Sequence, residues 1–85
     1  MSKSNNVTST LETMEVRIRM LTFIKDVIKD NTNSIDYAQK QIDEYNEREK
    51  NGEELDRWDR QSRLDYGYDI LARQQMNELL VSLTK

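Results

Sequence analysis

The sequence contains no cysteine, no histidine and no proline, and it has only two glycines. Without cysteine neither a disulfide framework nor a thiolate metal site can form. Without histidine the commonest general base and most zinc sites are absent as well. Without proline the strongest helix breaker is missing. We therefore expect a helical protein with no metal, no cofactor and no catalytic residues, which is not an enzyme.

The chain is also short and poor in apolar residues. Eighty-five residues form at most one domain, and a chain of this size buries only a modest share of its surface. Apolar residues make up 35% and charged residues 34% of the sequence. Ordering each residue costs about 1–2 kcal/mol, so the apolar side chains of a single copy leave little surplus stability. We therefore expect the chain to form a homo-oligomer.

The charge pattern gives no global attraction to nucleic acid or to an anionic membrane, because the formal net charge is -3. Arg57, Arg60 and Arg63 surround Trp58, but an acid stands four positions before each arginine, which favours ion pairs along a solvated helix. No apolar run approaches the roughly 18 residues of a membrane span, and residues 1–10 lack the apolar core of a signal peptide. We expect a cytoplasmic protein whose partner is another protein of unknown identity, rather than nucleic acid or a membrane.

The first helix has an unusually wide apolar face. Ser9 followed by Glu12 forms a capping box, so we expect a flexible polar tail over residues 1–8 and a helix from about residue 9. Between residues 11 and 28 the apolar positions cover roughly half of the helix circumference, more than one neighbouring helix can cover. We therefore expect a contact with another subunit. The predicted oligomer interface consists of Met14, Arg17, Ile18, Leu21, Ile24 and Ile28.

Residues 31–34 leave two alternatives open. Asn-Thr-Asn-Ser is a plausible loop sequence, which would divide the first arm into two helices. Yet the following apolar positions continue in phase with the preceding ones, as one unbroken helix to about residue 50 requires. These positions are Ile35, Ala38, Ile42 and Tyr45. The phase favours the long helix.

A turn at residues 51–52 ends this arm, because Gly52 can supply the left-handed cap. A second helix then runs over about residues 53–83. Its predicted heptad seam is Leu55, Trp58, Ser62, Asp65, Asp69, Ala72, Met76, Leu79 and Leu83. A second, rotated stripe contains Leu64, Tyr68 and Leu71, and Gly67 beside it predicts a kink or a close helix approach. The predicted fold is all-α: an antiparallel, coiled-coil-like helical hairpin that forms an oligomer, with residues 9–85 as one helical domain.

Four residues of the second helix are candidates for binding a partner: Trp58, Asp65, Tyr66 and Asp69. Asp65 and Asp69 lie four positions apart in the predicted seam, where a charge must be paired. The alternatives are that the helix rotates and both carboxylates face water, or that they form a metal or acid–base site, for which no third ligand is specified. Tyrosine and tryptophan are favoured anchors of binding surfaces, and Tyr66 lies off the predicted seam.

These features favour a small protein-protein interaction module, an adaptor or inhibitor that acts through helix-face recognition and is of the kind that phages and mobile elements encode. One alternative is a self-assembling structural or assembly subunit. Another is a nucleic-acid-associated protein, or one whose acidic residues around the turn mimic phosphates.

Overall fold

The computed structural model describes the backbone of residues 3–85 and the side chains of residues 10–85. This part of the chain contains two helices, α1 (Lys3–Lys50) and α2 (Arg57–Ser82), and no strand. The helices pack against each other in antiparallel orientation, so that Arg63 meets Asn46 near the turn and Asn77 meets Asn31 farther along. The predicted all-α helical hairpin is confirmed. The molecule is a rod of 76 × 19 × 14 Å.

Helix α1 begins earlier than the sequence predicts and runs without a break. It starts at Lys3, so Ser9 lies inside the helix and does not cap it. Residues 1 and 2 of the predicted tail lie outside the described residues. The continuous helix through residues 31–34 is confirmed. Thr32 fits there because its hydroxyl donates to the Ile28 carbonyl at 2.8 Å, and Asn31 is buried against α2.

The turn after α1 is a Schellman motif. The Gly52 amide donates to the Glu49 carbonyl at 3.0 Å, and the Glu53 amide donates to the Arg48 carbonyl at 3.0 Å. Gly52 has φ of 91°, in the left-handed region that side chains with a Cβ rarely adopt. The predicted turn at Gly52 is confirmed.

A short extended segment connects this turn to α2, which begins four residues later than predicted. Asp56 caps α2, because its carboxylate accepts a hydrogen bond from the Asp59 amide at 2.8 Å. Leu55 is buried at the tip of the hairpin. Arg48 forms ion pairs with Glu53 and, at 3.0 Å, with Asp59, so it joins the end of α1 to the connecting segment and to α2.

Helix α2 turns a more polar side towards α1 than the heptad pattern predicts. The residues from Leu55 onward that are at least half-buried are Leu55, Asp59, Ser62, Arg63, Tyr66, Gly67, Asp69, Ile70, Arg73, Asn77 and Leu80. The predicted seam is therefore right at three of its positions. It is wrong at four exposed positions, Trp58, Asp65, Ala72 and Leu79. Met76 and Leu83 are also exposed, but the Met76 sulfur accepts a hydrogen bond from Asn31 at 3.2 Å and Leu83 lines a groove with residues of α1. Gly67 marks no close approach either, because an added Cβ there would meet no atom within 4 Å.

The two helices differ in length, and this difference shapes the molecule. α1 has 48 residues and α2 has 26, or about 72 Å and 39 Å at 1.5 Å per residue. The end of α2 reaches the level of Ile24, where Leu83 lines a groove together with Ile24 and Leu21. Residues 10–23 of α1 extend beyond α2, and we call this segment the overhang.

The two glycines provide a matched pair of stability variants. Gly52→Ala should lower the free energy of unfolding by about 1–2 kcal/mol, because alanine is strained at positive φ. Gly67→Ala should raise it by up to about 1 kcal/mol, because alanine favours the helix and its Cβ meets open space. Urea denaturation followed by circular dichroism measures both changes. Equal effects of the two substitutions would contradict the assigned turn.

Candidate protein-interaction surface

The overhang carries large apolar side chains that nothing in the described structure covers. Every side chain from residue 10 to residue 20 is exposed. The large apolar ones in the overhang are Leu11, Met14, Val16, Ile18, Met20 and Phe23, each more than half exposed. An exposed apolar surface of this kind is a candidate site for contact with another macromolecule.

Apolar side chains occupy a larger share of the α1 circumference in the overhang than in the part of α1 that packs against α2. In the overhang, apolar side chains point to more than one side of the helix, and the polar residues between them form two arcs. Glu12, Glu15, Arg19 and Thr22 lie in one arc, and Thr10, Thr13 and Arg17 lie in the other. Beyond Ile28 the apolar residues follow a narrow line towards α2, apart from the exposed Tyr37. The paired part of α1 is therefore suited to one neighbouring helix, and the overhang to more than one.

A groove lies where the overhang meets the end of α2. Its volume is about 360 Å³, and Met20, Leu21 and Ile24 on α1 and Leu83 after α2 form its apolar lining. Arg17 lines the same groove. Next to it a second, shallower groove of about 300 Å³ contains Met20 and Phe23. Both grooves have the dimensions to accept apolar side chains of a partner helix.

Helix α2 has an exposed apolar stripe of its own, on the side away from α1. It consists of Leu64, Tyr68, Leu71 and Leu79, all more than half exposed, and we call it the outer stripe. The spacing of four, three and eight residues keeps these side chains on one face of the helix. The hairpin therefore presents two separate apolar surfaces, one on each helix.

The seam between the helices is held by a polar layer around Asn31, which is only 4% exposed. The Asn31 amide group donates to the Asn77 side-chain oxygen at 3.0 Å, and its own oxygen accepts from Arg73 at 2.8 Å. Arg73 also donates to both carboxylate oxygens of Asp69 at 3.1 Å. Asn31 is thus fully paired, as a buried amide requires.

A tyrosine pair lies farther along the seam, towards the turn. The rings of Tyr37 and Tyr66 meet edge to face, with centroids 6.2 Å apart. Burial raises the pKa of Tyr66 above its ordinary value of 10.0, and a side-chain hydrogen bond with Tyr37 raises this pKa further. Tyr66 is half-buried in the seam, so the expectation that it is an exposed anchor off the seam is wrong.

The predicted oligomer interface divides into two groups in the structure. Met14, Arg17 and Ile18 are exposed in the overhang. Ile24 is buried, and Leu21 and Ile28 are half-buried, at the level where α2 ends or beside α2 itself. Val16, Met20 and Phe23 were not among the predicted interface residues, although the same apolar periodicity contains them. They lie exposed beside the two grooves.

The remaining partner-binding candidates lie in different surroundings. Trp58 is 80% exposed at the tip of the hairpin. Asp65 is exposed and accepts a hydrogen bond from Gln61 at 3.0 Å. Asp69 is half-buried and paired with Arg73 in the polar layer. Asp65, Tyr66 and Asp69 nevertheless line one open pocket of about 350 Å³ on α2, whereas Trp58 lies apart from it at the tip.

The described residues offer no cluster of three carboxylates that could hold a metal ion. Among the same residues no helix is long and apolar enough to cross a membrane. Two arginines near the turn pair with acids: Arg63 pairs with Glu49, and a hydrogen bond with Glu53 is the main cause that raises the pKa of Arg48. The three i,i+4 ion pairs predicted around Trp58 are not among the ion pairs of the described residues, whereas Asp69 and Arg73, also four positions apart, form one.

Comparison with known proteins identifies no relative: no protein-family model, no curated protein and no solved structure matches this chain.

The polar layer predicts a specific loss of stability. Asn31→Ala should lower the free energy of unfolding by about 1–3 kcal/mol, because Asn77 and Arg73 lose a partner inside the seam. Asn33→Ala is the matched control, because Asn33 is exposed two positions away in the same helix, and it should change stability by less than about 0.5 kcal/mol. Urea denaturation measures both. Equal losses for the two variants would show that the layer does not stabilise the hairpin.

The raised pKa of Tyr66 predicts a decrease of stability in alkali. The folded chain retains this proton to higher pH than the unfolded chain, so the stabilising contribution is complete below pH 10.0 and decreases as the pH rises through the folded pKa. In a phenolate absorbance titration, Tyr66→Phe should remove the component that ionises at the highest pH. Tyr68→Phe, on the outer stripe, should leave that component in place. The opposite pattern would exclude the tyrosine pair as its source.

Proposed function

We propose that this chain is a non-enzymatic protein-protein interaction module, an adaptor or inhibitor that acts in the cytoplasm by presenting helix faces to other proteins. The observation that carries the proposal is the overhang, in which large apolar side chains such as Phe23 and Ile18 are more than 60% exposed. Leaving so much apolar surface in water is unfavourable by about 25 cal/mol per Å². A partner that covers this surface recovers that free energy.

The form of the surface favours a helical partner. The outer stripe is one helix face, and the overhang presents two, one with Leu11, Met14 and Ile18 and one with Val16, Met20 and Phe23. Faces with side chains at spacings of three and four residues pack against other helices. Trp58 at the tip adds an exposed aromatic side chain of the type that anchors binding surfaces.

The ion pairs favour a protein partner over nucleic acid. Arg48, Arg63 and Arg73 each pair with a carboxylate of the same chain. Their positive charge is therefore largely neutralised, and the chain carries a net charge of -3. Phosphate binding depends on clustered positive charge that is available to the ligand. The absence of cysteine suits a reducing compartment such as the cytoplasm.

A capture experiment on the outer stripe tests the proposal. The full chain, immobilised, should retain one or a few proteins from an extract of the cells that produce it. Tyr68→Ser combined with Leu71→Ser should reduce this retention at least about tenfold, because the stripe loses its two central apolar side chains.

Gln75→Ser is the matched control, because Gln75 is an exposed polar residue of the same face of α2, and it should leave retention unchanged. Circular dichroism of each variant checks that the helices are retained. If the double variant and the control capture the same proteins in the same amounts, the outer stripe is not a binding face.

A further inference from the structure

We propose that the overhang is the docking site for the overhang of a second copy of this chain, which lies antiparallel to it, so that the hairpin tips lie at opposite ends of the dimer. The inference rests on the proposed function and names the partner of one of the two apolar surfaces. The outer stripe of α2 stays free in this dimer and available to a different protein.

The exposed area of the single chain is larger than that of a compact monomer of the same mass. Its accessible surface is 7232 Å², whereas a compact monomer of 10.2 kDa is expected to have roughly 5,300 Å². The excess is about 1,900 Å², and the overhang, which packs against no other element, contributes part of it. A contact between two overhangs would cover part of this excess.

The hairpin's own core is small, so such a contact would add to a modest stability. Among the side chains of residues 10–85, the buried apolar ones are Ile24, Ala38, Leu55 and Ile70, and none of the larger side chains is completely buried. A partner that binds only the folded state stabilises it by mass action. A second copy is the one partner that is present whenever the chain itself is present, so self-association can supply this stability at all times.

The overhang is suited to pair with itself. A two-fold interface places the same patch of both copies in contact, which requires a patch that can contact its own residues. The exposed face around Val16, Met20 and Phe23 meets this requirement, because its apolar side chains can interdigitate with identical ones. The groove between Leu21 and Leu83 adds apolar surface for a side chain of the other copy.

The charges along α1 favour the antiparallel orientation. The exposed line that carries Val16 and Phe23 continues at seven-residue spacing through Asp30, Tyr37 and Glu44. In a parallel, in-register pair each of these acids would face its own copy, and like charges directly opposite are destabilising. In an antiparallel pair only the overhangs overlap, and the two polar shafts extend into solvent in opposite directions.

Sedimentation equilibrium of the full chain tests the association. We expect a mass of twice 10.2 kDa at micromolar concentration. Phe23→Ser should raise the dissociation constant of the dimer at least about a hundredfold, because two phenylalanine side chains lose their burial in each dimer. Met20→Ala is a milder second variant and should raise the dissociation constant less.

Tyr68→Ser is the matched control for Phe23→Ser, because the two aromatic side chains are 67% and 68% exposed on different helices. It should leave the dimer intact. Circular dichroism on the same samples checks the hairpin, which should persist in both variants because neither side chain is packed inside it. A monomer at micromolar concentration, or equal dissociation constants for the two variants, would overturn the proposal.

The orientation has a test of its own, since the chain has no cysteine and a single introduced one can be labelled. Glu54→Cys places a spin label at the exposed tip. In the antiparallel dimer the two labels lie farther apart than the 76 Å length of one rod, so no dipolar coupling is expected at shorter distances. A distance near the 19 Å rod width would show a parallel dimer and overturn the antiparallel arrangement.

The outcomes separate this inference from the proposed function. A monomeric chain that still captures a protein through Tyr68 and Leu71 would exclude the self-association and retain the interaction module. A dimer that captures nothing would support the self-association, and would indicate a self-assembling subunit in place of an adaptor or inhibitor.

Discussion

The hydrogen bonds of Asn31 with Asn77 and Arg73 fix how α2 lies against α1. A buried amide requires partners for its donors and its acceptor, and both come here from one side of α2. Rotation of α2, or a shift of one turn along α1, would leave these groups unpaired inside the seam. The layer thus sets the rotation and the register of α2, and both have consequences at the surface.

The rotation determines which residues of α2 face the solvent. Because Arg73, Asp69 and Asn77 point towards α1, the leucines of the outer stripe point away from it. The register determines where α2 ends, at the level of Ile24, and so how much of α1 remains unpaired. The two apolar surfaces on which the proposed function depends therefore follow from one polar contact in the middle of the rod.

The helical hairpin could be predicted from the sequence because its determinants are local. Each determinant can be recognised within a short stretch of sequence. The absence of proline and the in-phase apolar positions from Ile35 to Tyr45 indicate a helix, and Gly52 after Asn51 indicates the turn. The width of the apolar face between residues 11 and 28 could likewise be read directly and corresponds to the exposed overhang.

The rotation of α2 could not be predicted in this way. Apolar periodicity alone placed Trp58, Ala72 and Leu79 in the seam, and the structure places all three at the surface. The deciding interaction joins Asn31 to Arg73, 42 positions away in the sequence, and no local pattern contains it. The prediction that Tyr66 is exposed was wrong for the same reason, since its partner Tyr37 lies on the other helix.

The position of Trp58 affects how this protein can be observed. It is the one tryptophan of the chain, and its indole is 80% exposed at the tip of the rod. Its emission in the folded state is therefore close to that of an indole in water, and it changes little when the helices melt. Intrinsic fluorescence is a poor indicator of folding here. It is instead a sensitive indicator of any molecule that comes to rest against the hairpin tip.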